Sequence, residues 1–310
     1  MLLGRYRFFC RFQEDALLPT YKGSTFRGAF GNALKRVVCA VREKDCGRCL
    51  LAQRCLYARV FEPAPRPDGL RLATPPHPYV IEPPLDPGTR YTSGDSFDFN
   101  LLLFGEFNDY LPYFVYAFEA MGEQGLGARR GHGMGRYALK CVTSGARQLY
   151  NDQTRQLEKP RPDMLRLAPP TDASGTLGVK LVTPLRLKHD NQLQAELPFH
   201  LMTRAALRRV STLFACFGEG EPPLDYRGLV ARAQDIEVVC SRLRWCDWQR
   251  YSNRQEQAML MDGMSGEITY RGALGEYLPL LEIARAVHLG KQSAFGLGQI
   301  DYSFQPDLPA

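Results

Sequence analysis

Two segments of this 310-residue chain carry the same features in the same order, and that repetition constrains the fold more than any other property. LPYFVYAFEAMGEQGLGARRGHGMGRYALKCV begins at Leu111, and LPLLEIARAVHLGKQSAFGLGQIDYSF begins at Leu278. Each opens on Leu-Pro (Leu111-Pro112, Leu278-Pro279), where proline is tolerated because first-turn amides have no helical partner to lose. Each continues as an apolar helix, ends near a glycine and crosses a loop rich in Gly, Arg or Lys. An alternating strand then begins through Gly-Met-Gly (133–135) or Gly-Leu-Gly (296–298). Repeated order predicts a repeated fold.

The starts of the two halves also correspond. Strand-like RYRFFCRF precedes a helix expected from about Ser24 to Ala40, and strand-like GVKLVTPLRLK precedes one from about Pro198 to Phe217. Phe26, Phe30, Leu34 and Val37 recur at helical spacing in the first, as do Met202, Ala206, Val210, Leu213 and Phe217 in the second, which marks the core faces. Ser24 or Thr25 is the expected N-cap, because a hydroxyl there can accept from an unpaired amide. Strand candidates at 97–104 and 236–270 lie between the helices of each half. Strand, helix, strands, helix, strand is the ferredoxin-like order. The chain is therefore read as α+β, two tandem ferredoxin-like (RRM-like, βαββαβ) domains at 1–150 and 177–310. The polar, proline-rich stretch 151–176 reads as their linker.

A glycine loop lets backbone amides approach a ligand, and clustered amides suit phosphate. The first loop adds Arg129, Arg130, His132 and Arg136; the second adds His288, Lys291, Gln292 and Ser293, with Gly296 and Gly298 shaping the turn into the strand. The combination resembles a nucleic-acid backbone clamp, although glycines that merely turn the chain give the same pattern. Neither loop is a Walker loop or follows a strand as a dinucleotide fingerprint does, which argues against ATP and NAD. A formal charge of +6 suits a polyanionic partner. Arg204 and Arg208, one helical turn apart with Arg209 beside them, add cations to the polar face of the second domain's first helix. RLRWCDWQRYSNRQ (242–255) mixes Trp245, Trp248 and Tyr251 with arginines, as single-stranded base stacking requires, or as a solvated strand edge would. Arg5, Arg7 and Arg11 interrupt the apolar N-terminus, and no stretch approaches ~18 apolar residues, so a cytoplasmic chain is expected.

Nine cysteines without a signal segment argue for metal ligands or reduced thiols over a disulfide framework. Cys39, Cys46, Cys49 and Cys55, spaced C-x6-C-x2-C-x5-C, fit a closed tetrahedral zinc site that would staple a loop. An iron–sulfur cluster or unliganded thiols are the alternatives. Cys10, Cys141, Cys216, Cys240 and Cys246 read as core.

YKGSTFRGAFGNAL (21–34), the cysteine run ending in CLYARVFEP, PHPYVIEPP, LVTPLRLK and, most specifically, LPLLEIARAVHLGKQSAFGLGQIDY together resemble the CRISPR precursor-RNA endoribonucleases of the RAMP superfamily. That resemblance implies two ferredoxin-like domains side by side with repeat RNA across their basic surface. It also implies metal-independent cleavage, in which a 2′-hydroxyl attacks its phosphate to leave 2′,3′-cyclic phosphate and 5′-hydroxyl ends. Such a reaction needs a base, support for the phosphorane and an acid. A non-catalytic RNA-binding subunit of an effector complex is the alternative, and a zinc-stabilised protein-binding scaffold the third reading.

Five histidines, His77, His132, His189, His200 and His288, are the acid–base candidates. His288 and His132 stand at the glycine loops; His77, between prolines, reads as structural. His288 also sits where a helix C-terminus favours a histidine as a cap. Many relatives place a histidine in or near the first helix, and this chain has none there. The resemblance instead points to Tyr21 and Lys22 for orienting the hydroxyl and supporting the phosphorane, with Arg27 as a phosphate contact.

Overall fold

A computed structural model of the chain describes residues 1–41, 45–63, 75–127, 133–189, 192–247, 249–252, 257–260 and 262–307. The chain divides into two compact units, Met1–Met164 with Cys216–Gly218, and Leu165–Ala215 with Glu219–Ala310. The stretch 151–176 contains the division. Its first part is tied to the first unit, where Asp163–Met164 pairs antiparallel with Leu2–Leu3 and Leu157 bridges Tyr150.

In the first unit, β1 (Leu2–Phe12) is followed by α1 (Gly23–Val38), α2 (Leu56–Phe61), β2 (Tyr79–Glu82), β3 (Ser96–Phe104), α3 (Leu111–Gln124), β4 (Tyr137–Ser144) and β5 (Arg147–Asn151). The antiparallel sheet runs β2-β3-β1-β4-β5. β1 alternates strictly enough to send Tyr6, Phe8, Cys10 and Phe12 inward. They meet the buried face of α1, Phe26, Phe30, Ala33 and Leu34, in an aromatic core where Phe30 stacks on Phe118 at 4.6 Å and Phe8 on Phe99 at 4.9 Å. Such offset ring pairs add about 0.5–1.5 kcal/mol each beyond their buried area.

The second unit repeats the plan with β6 (Ser174–Leu185), α4 (Phe199–Phe217), β7 (Glu237–Ser241), β8 (Gly263–Ala273), α5 (Leu278–Val287) and β9 (Ile300–Pro306). Its main sheet runs β7-β8-β6-β9. Set beside β2-β3-β1-β4, the order is identical: both units are ferredoxin-like. Met202, Ala206, Val210 and Leu213 face the core, as the period of α4 predicts. Phe199 packs edge-on against Tyr270 and Tyr277, whose hydroxyls donate to Leu197 O at 2.6 Å and Leu229 O at 2.9 Å.

The N-cap of α1 is Lys22, and neither Ser24 nor Thr25 holds that place; both lie inside the first turn. No helix among the described residues is long and apolar enough to cross a membrane.

Candidate nucleic-acid interface

The two glycine loops match residue for residue. Gly125-Leu126-Gly127 corresponds to His288-Leu289-Gly290, and Gly133-Met134-Gly135 to Gly296-Leu297-Gly298. In each, the leucine amide donates to the last glycine's carbonyl, Leu126 N to Gly135 O at 3.0 Å and Leu289 N to Gly298 O at 2.8 Å. Gly135 and Gly298 share left-handed φ values of 62° and 74°. A Cβ would meet Leu126 O at 2.1 Å in one and Leu289 O at 1.8 Å in the other.

The second loop is laced to the end of β6. Thr183, buried, donates its hydroxyl to Gly296 O at 2.8 Å and accepts from Gln299 N at 2.9 Å. Gly298 N donates to Pro184 O at 3.0 Å and Lys291 N to Arg186 O at 2.9 Å. Phe295 N and Gly296 N close a short 3-10 turn onto Gln292 and Ser293 carbonyls. These amides brace the loop. Arg186 holds Gln292 Oε1 at 3.1 Å and pairs with Asp262 at 3.0 Å. Lys291 is exposed, and its ammonium is held below the usual lysine range by partial burial and then by Lys188, Arg208 and Arg186. Exposed Arg204 and Arg208 share the surface of α4.

Arg209 takes the opposite direction. Its guanidinium donates to Val287 O at 2.9 Å and His288 O at 3.1 Å, capping the C-terminus of α5 where the loop begins. Burial of that head group brings its pKa down to about 10. Sequence grouped it with the basic face; the structure makes it a brace.

His288 is fully buried, with Nδ1 at 3.1 Å from Leu297 O. Its backbone lies at φ 63°, ψ 151°, where its counterpart Gly125 lies at φ 82°, ψ 159°. That region is essentially reserved for glycine and costs a side-chain-bearing residue about 1–3 kcal/mol. His288 shapes the loop from inside, and in this arrangement its ring cannot meet RNA.

In the first loop, Arg129, Arg130 and His132 lie outside the described residues. Arg136 is paired with Glu14, which also accepts from Met134 N at 3.0 Å, and the Arg136 hydrogen bond holds the Glu14 carboxyl below its ordinary range. The cation predicted for phosphate is therefore already matched within the chain.

Lys22 is also fully buried. Its ammonium donates to the carbonyls of Thr20 and Asp86, pairs with the Asp86 carboxylate at 3.7 Å and lies 5.6 Å from the Tyr91 ring centre. Burial lowers its pKa despite Asp86. It pins the entry to α1, and in this arrangement it does not reach solvent. Tyr21 is half-buried; burial first and the Glu82 charge second push its phenol up, so it stays a proton-bearing donor. Arg27 reaches across to the loop before β2, where Nη2 lies 3.2 Å from His77 Nε2 and the guanidinium sits 5.1 Å over the Phe61 ring. Sequence reading missed the pairing of Arg27 with His77.

Three of the four cysteines expected to hold zinc lie close together. Cys39, Cys49 and Cys55 line one cavity of about 370 Å³ with Val41, Leu51, Tyr110 and Tyr113. Among the described residues, however, no group of three or more His, Cys, Asp or Glu side chains converges to hold a metal. Burial raises the Cys46 thiol, as does the Glu62 charge. Spacing alone does not bring four thiols to one point.

Of the 242–255 segment, Trp245 is about one-third exposed and donates its indole N–H to Asp247 at 2.8 Å; Trp248 and the Tyr251 side chain lie outside the described residues.

Residues 1–162 match the AF_1859_N family, an N-terminal domain, and residues 179–300 match the CRISPR-associated endoribonuclease Cas6 family. An uncharacterized protein of Archaeoglobus fulgidus is 24% identical over 293 residues, 91% of each chain. A Cas6 product complex aligns with TM-score 0.58 and 16% identity over 97% of this chain and 100% of that one. Thermus thermophilus Cas6 aligns with 0.56 and 15% over 97% and 98%. A partial Cas6-RT-Cas1–Cas2 complex aligns with 0.57 and 13% over 98% of this chain and 46% of that one. At these identities the solved structures speak to fold, while the two sequence families speak to descent. The AF_1859_N match spans just over half of the chain, so the chain belongs to that family, and its second half is similar to the CRISPR-associated endoribonuclease Cas6 family.

Proposed function

We propose that the chain cuts CRISPR precursor RNA within the repeat by attack of a 2′-hydroxyl on the adjacent phosphate, without a metal. The products are 2′,3′-cyclic phosphate and 5′-hydroxyl ends, and the chain keeps hold of the guide RNA. The observation that carries this reading is the cation group at the second glycine loop. Partial burial first, and then the charges of Lys188, Arg208 and Arg186, disfavour the charge on Lys291, and an incoming phosphate relieves the field of those cations. Arg204, Gln292 and Ser293 extend the same surface, and Gly296 and Gly298 give the loop its shape. Tyr21, held protonated, is the proposed donor to the reacting phosphate. His132 keeps its proposed acid–base role, while Lys22 and His288 act by positioning α1 and the loop.

The test is cleavage of end-labelled RNA from the repeat of its own locus in the presence of chelator, beside the same RNA carrying 2′-deoxy at each nucleotide in turn. One cut, abolished by one 2′-deoxy position, is the expected result. The full burial of Lys22 and His288 favours a second reading, an RNA-holding subunit of an effector complex; tight binding without a cut would establish it.

A further inference from the structure

We infer that His77 is a catalytic residue of this chain, the base that takes the 2′-hydroxyl proton, with Arg27 as its phosphate-side partner. The assignment rests on the cleavage reading above. His77 is the single histidine among the described residues of the first unit, and it is half-exposed, unlike His288.

Its ring is set for one task. Nδ1 lies 2.9 Å from Val60 O, a carbonyl that can only accept, so the proton of the neutral imidazole sits on Nδ1. Nε2 is thereby the acceptor, and it faces Arg27 Nη2 at 3.2 Å. Pro76 and Pro78 restrict the backbone on either side of it. The Phe61 and Tyr79 rings, with centroids 6.5 and 5.7 Å from the imidazole, flank it. A lone pair of fixed direction beside a half-exposed guanidinium is the pairing that hydroxyl activation at a phosphodiester requires: a base for one atom, a cation for its neighbour.

A phosphodiester entering beside Arg27 offers the guanidinium a charged acceptor stronger than imidazole, and the non-bridging oxygens take over its donors. Nε2 then accepts the 2′-hydroxyl proton as the 2′ oxygen bonds to phosphorus. The bond from phosphorus to the 5′ oxygen breaks, that oxygen takes a proton from the acid, the role left to His132, which regains one from water, and the imidazolium of His77 returns its own proton to solvent.

His77→Asn tests this. The side-chain amide that the substitution introduces keeps an N–H donor for Val60 O while removing the base. Single-turnover cleavage of repeat RNA should fall by about 10²-fold or more, the scale of a lost general base, with the RNA Kd within about twofold of wild type. His77→Ala should recover part of its rate in added imidazole, which a merely structural histidine would not show. Wild-type cleavage with His77→Asn equally fast, or no response of His77→Ala to imidazole, overturns the role of His77 and leaves the cleavage reading standing. A wild-type chain that binds repeat RNA and never cuts it overturns both.

Discussion

The backbone at His288 supports a prediction whose sign runs against ordinary experience. Replacing alanine by glycine usually lowers stability by about 0.5–1 kcal/mol, because glycine loses more chain freedom on folding. At φ 63°, ψ 151° the order should invert. Alanine there keeps the Cβ strain of about 1–3 kcal/mol, and glycine is free of it. His288→Ala and His288→Gly both lose the ring and its contact with Leu297 O, so those losses cancel between them. Subtracting the entropic term leaves His288→Gly the more stable by about 1 kcal/mol at mid-range, with an upper bound of about 2.5, or about 2–4 °C in Tm per kcal/mol for a unit of this size. Both tryptophans, Trp245 and Trp248, lie in the second half of the chain, so their fluorescence follows the unit that holds His288. Urea and thermal unfolding of the two variants give the comparison. An alanine variant as stable as the glycine variant, or more so, would refute the strain at this position.

Three further outcomes follow. RNA affinity should decline as pH rises through the depressed pKa of Lys291, because bound phosphate favours the charged form and raises that pKa; Lys291→Arg, charged throughout, should flatten that decline. Arg209→Met leaves the carbonyls of Val287 and His288 without this donor, and urea unfolding of the second unit should show a loss of about 1–3 kcal/mol, net of the desolvation no longer incurred. Elemental analysis decides the cysteine loop: one zinc per chain would mean that Cys39, Cys46, Cys49 and Cys55 close around it, whereas zinc well below one per chain would leave them as free thiols.

The repeated plan was legible because its signals are local. Leu-Pro fixes where α3 and α5 begin, and Gly-Met-Gly and Gly-Leu-Gly mark where β4 and β9 are entered, so the periodic segments between could be placed in order. The roles of individual side chains were less legible, because partners distant in sequence decide them. Lys22 looks like a support for the phosphorane until Asp86, 64 residues on, is seen to enclose it. Arg209 looks like a third cation beside Arg204 and Arg208, yet helical geometry turns it toward the end of α5. Arg27 and His77 meet across 50 residues, so nothing in either local segment announces the pair. Thr183, an ordinary strand residue in LVTPLRLK, proves to lace the glycine loop.

The pairing of β9 with β6, Ile300 opposite Leu181 through Pro306 opposite Gly175, has a consequence for synthesis. The first unit has every strand of its main meander once Asn151 has emerged from the ribosome, whereas the second lacks a neighbour for one side of β6 until Pro306 does. From the completion of β6 at Leu185 to that of β9 at Pro306, at ~5–20 residues per second, one edge of β6 stands open for about 6–24 s on a nascent chain whose first unit can already have folded. A translational pause in this window would lengthen the exposure of that edge, and codon choice across 185–306 thus becomes a determinant of yield.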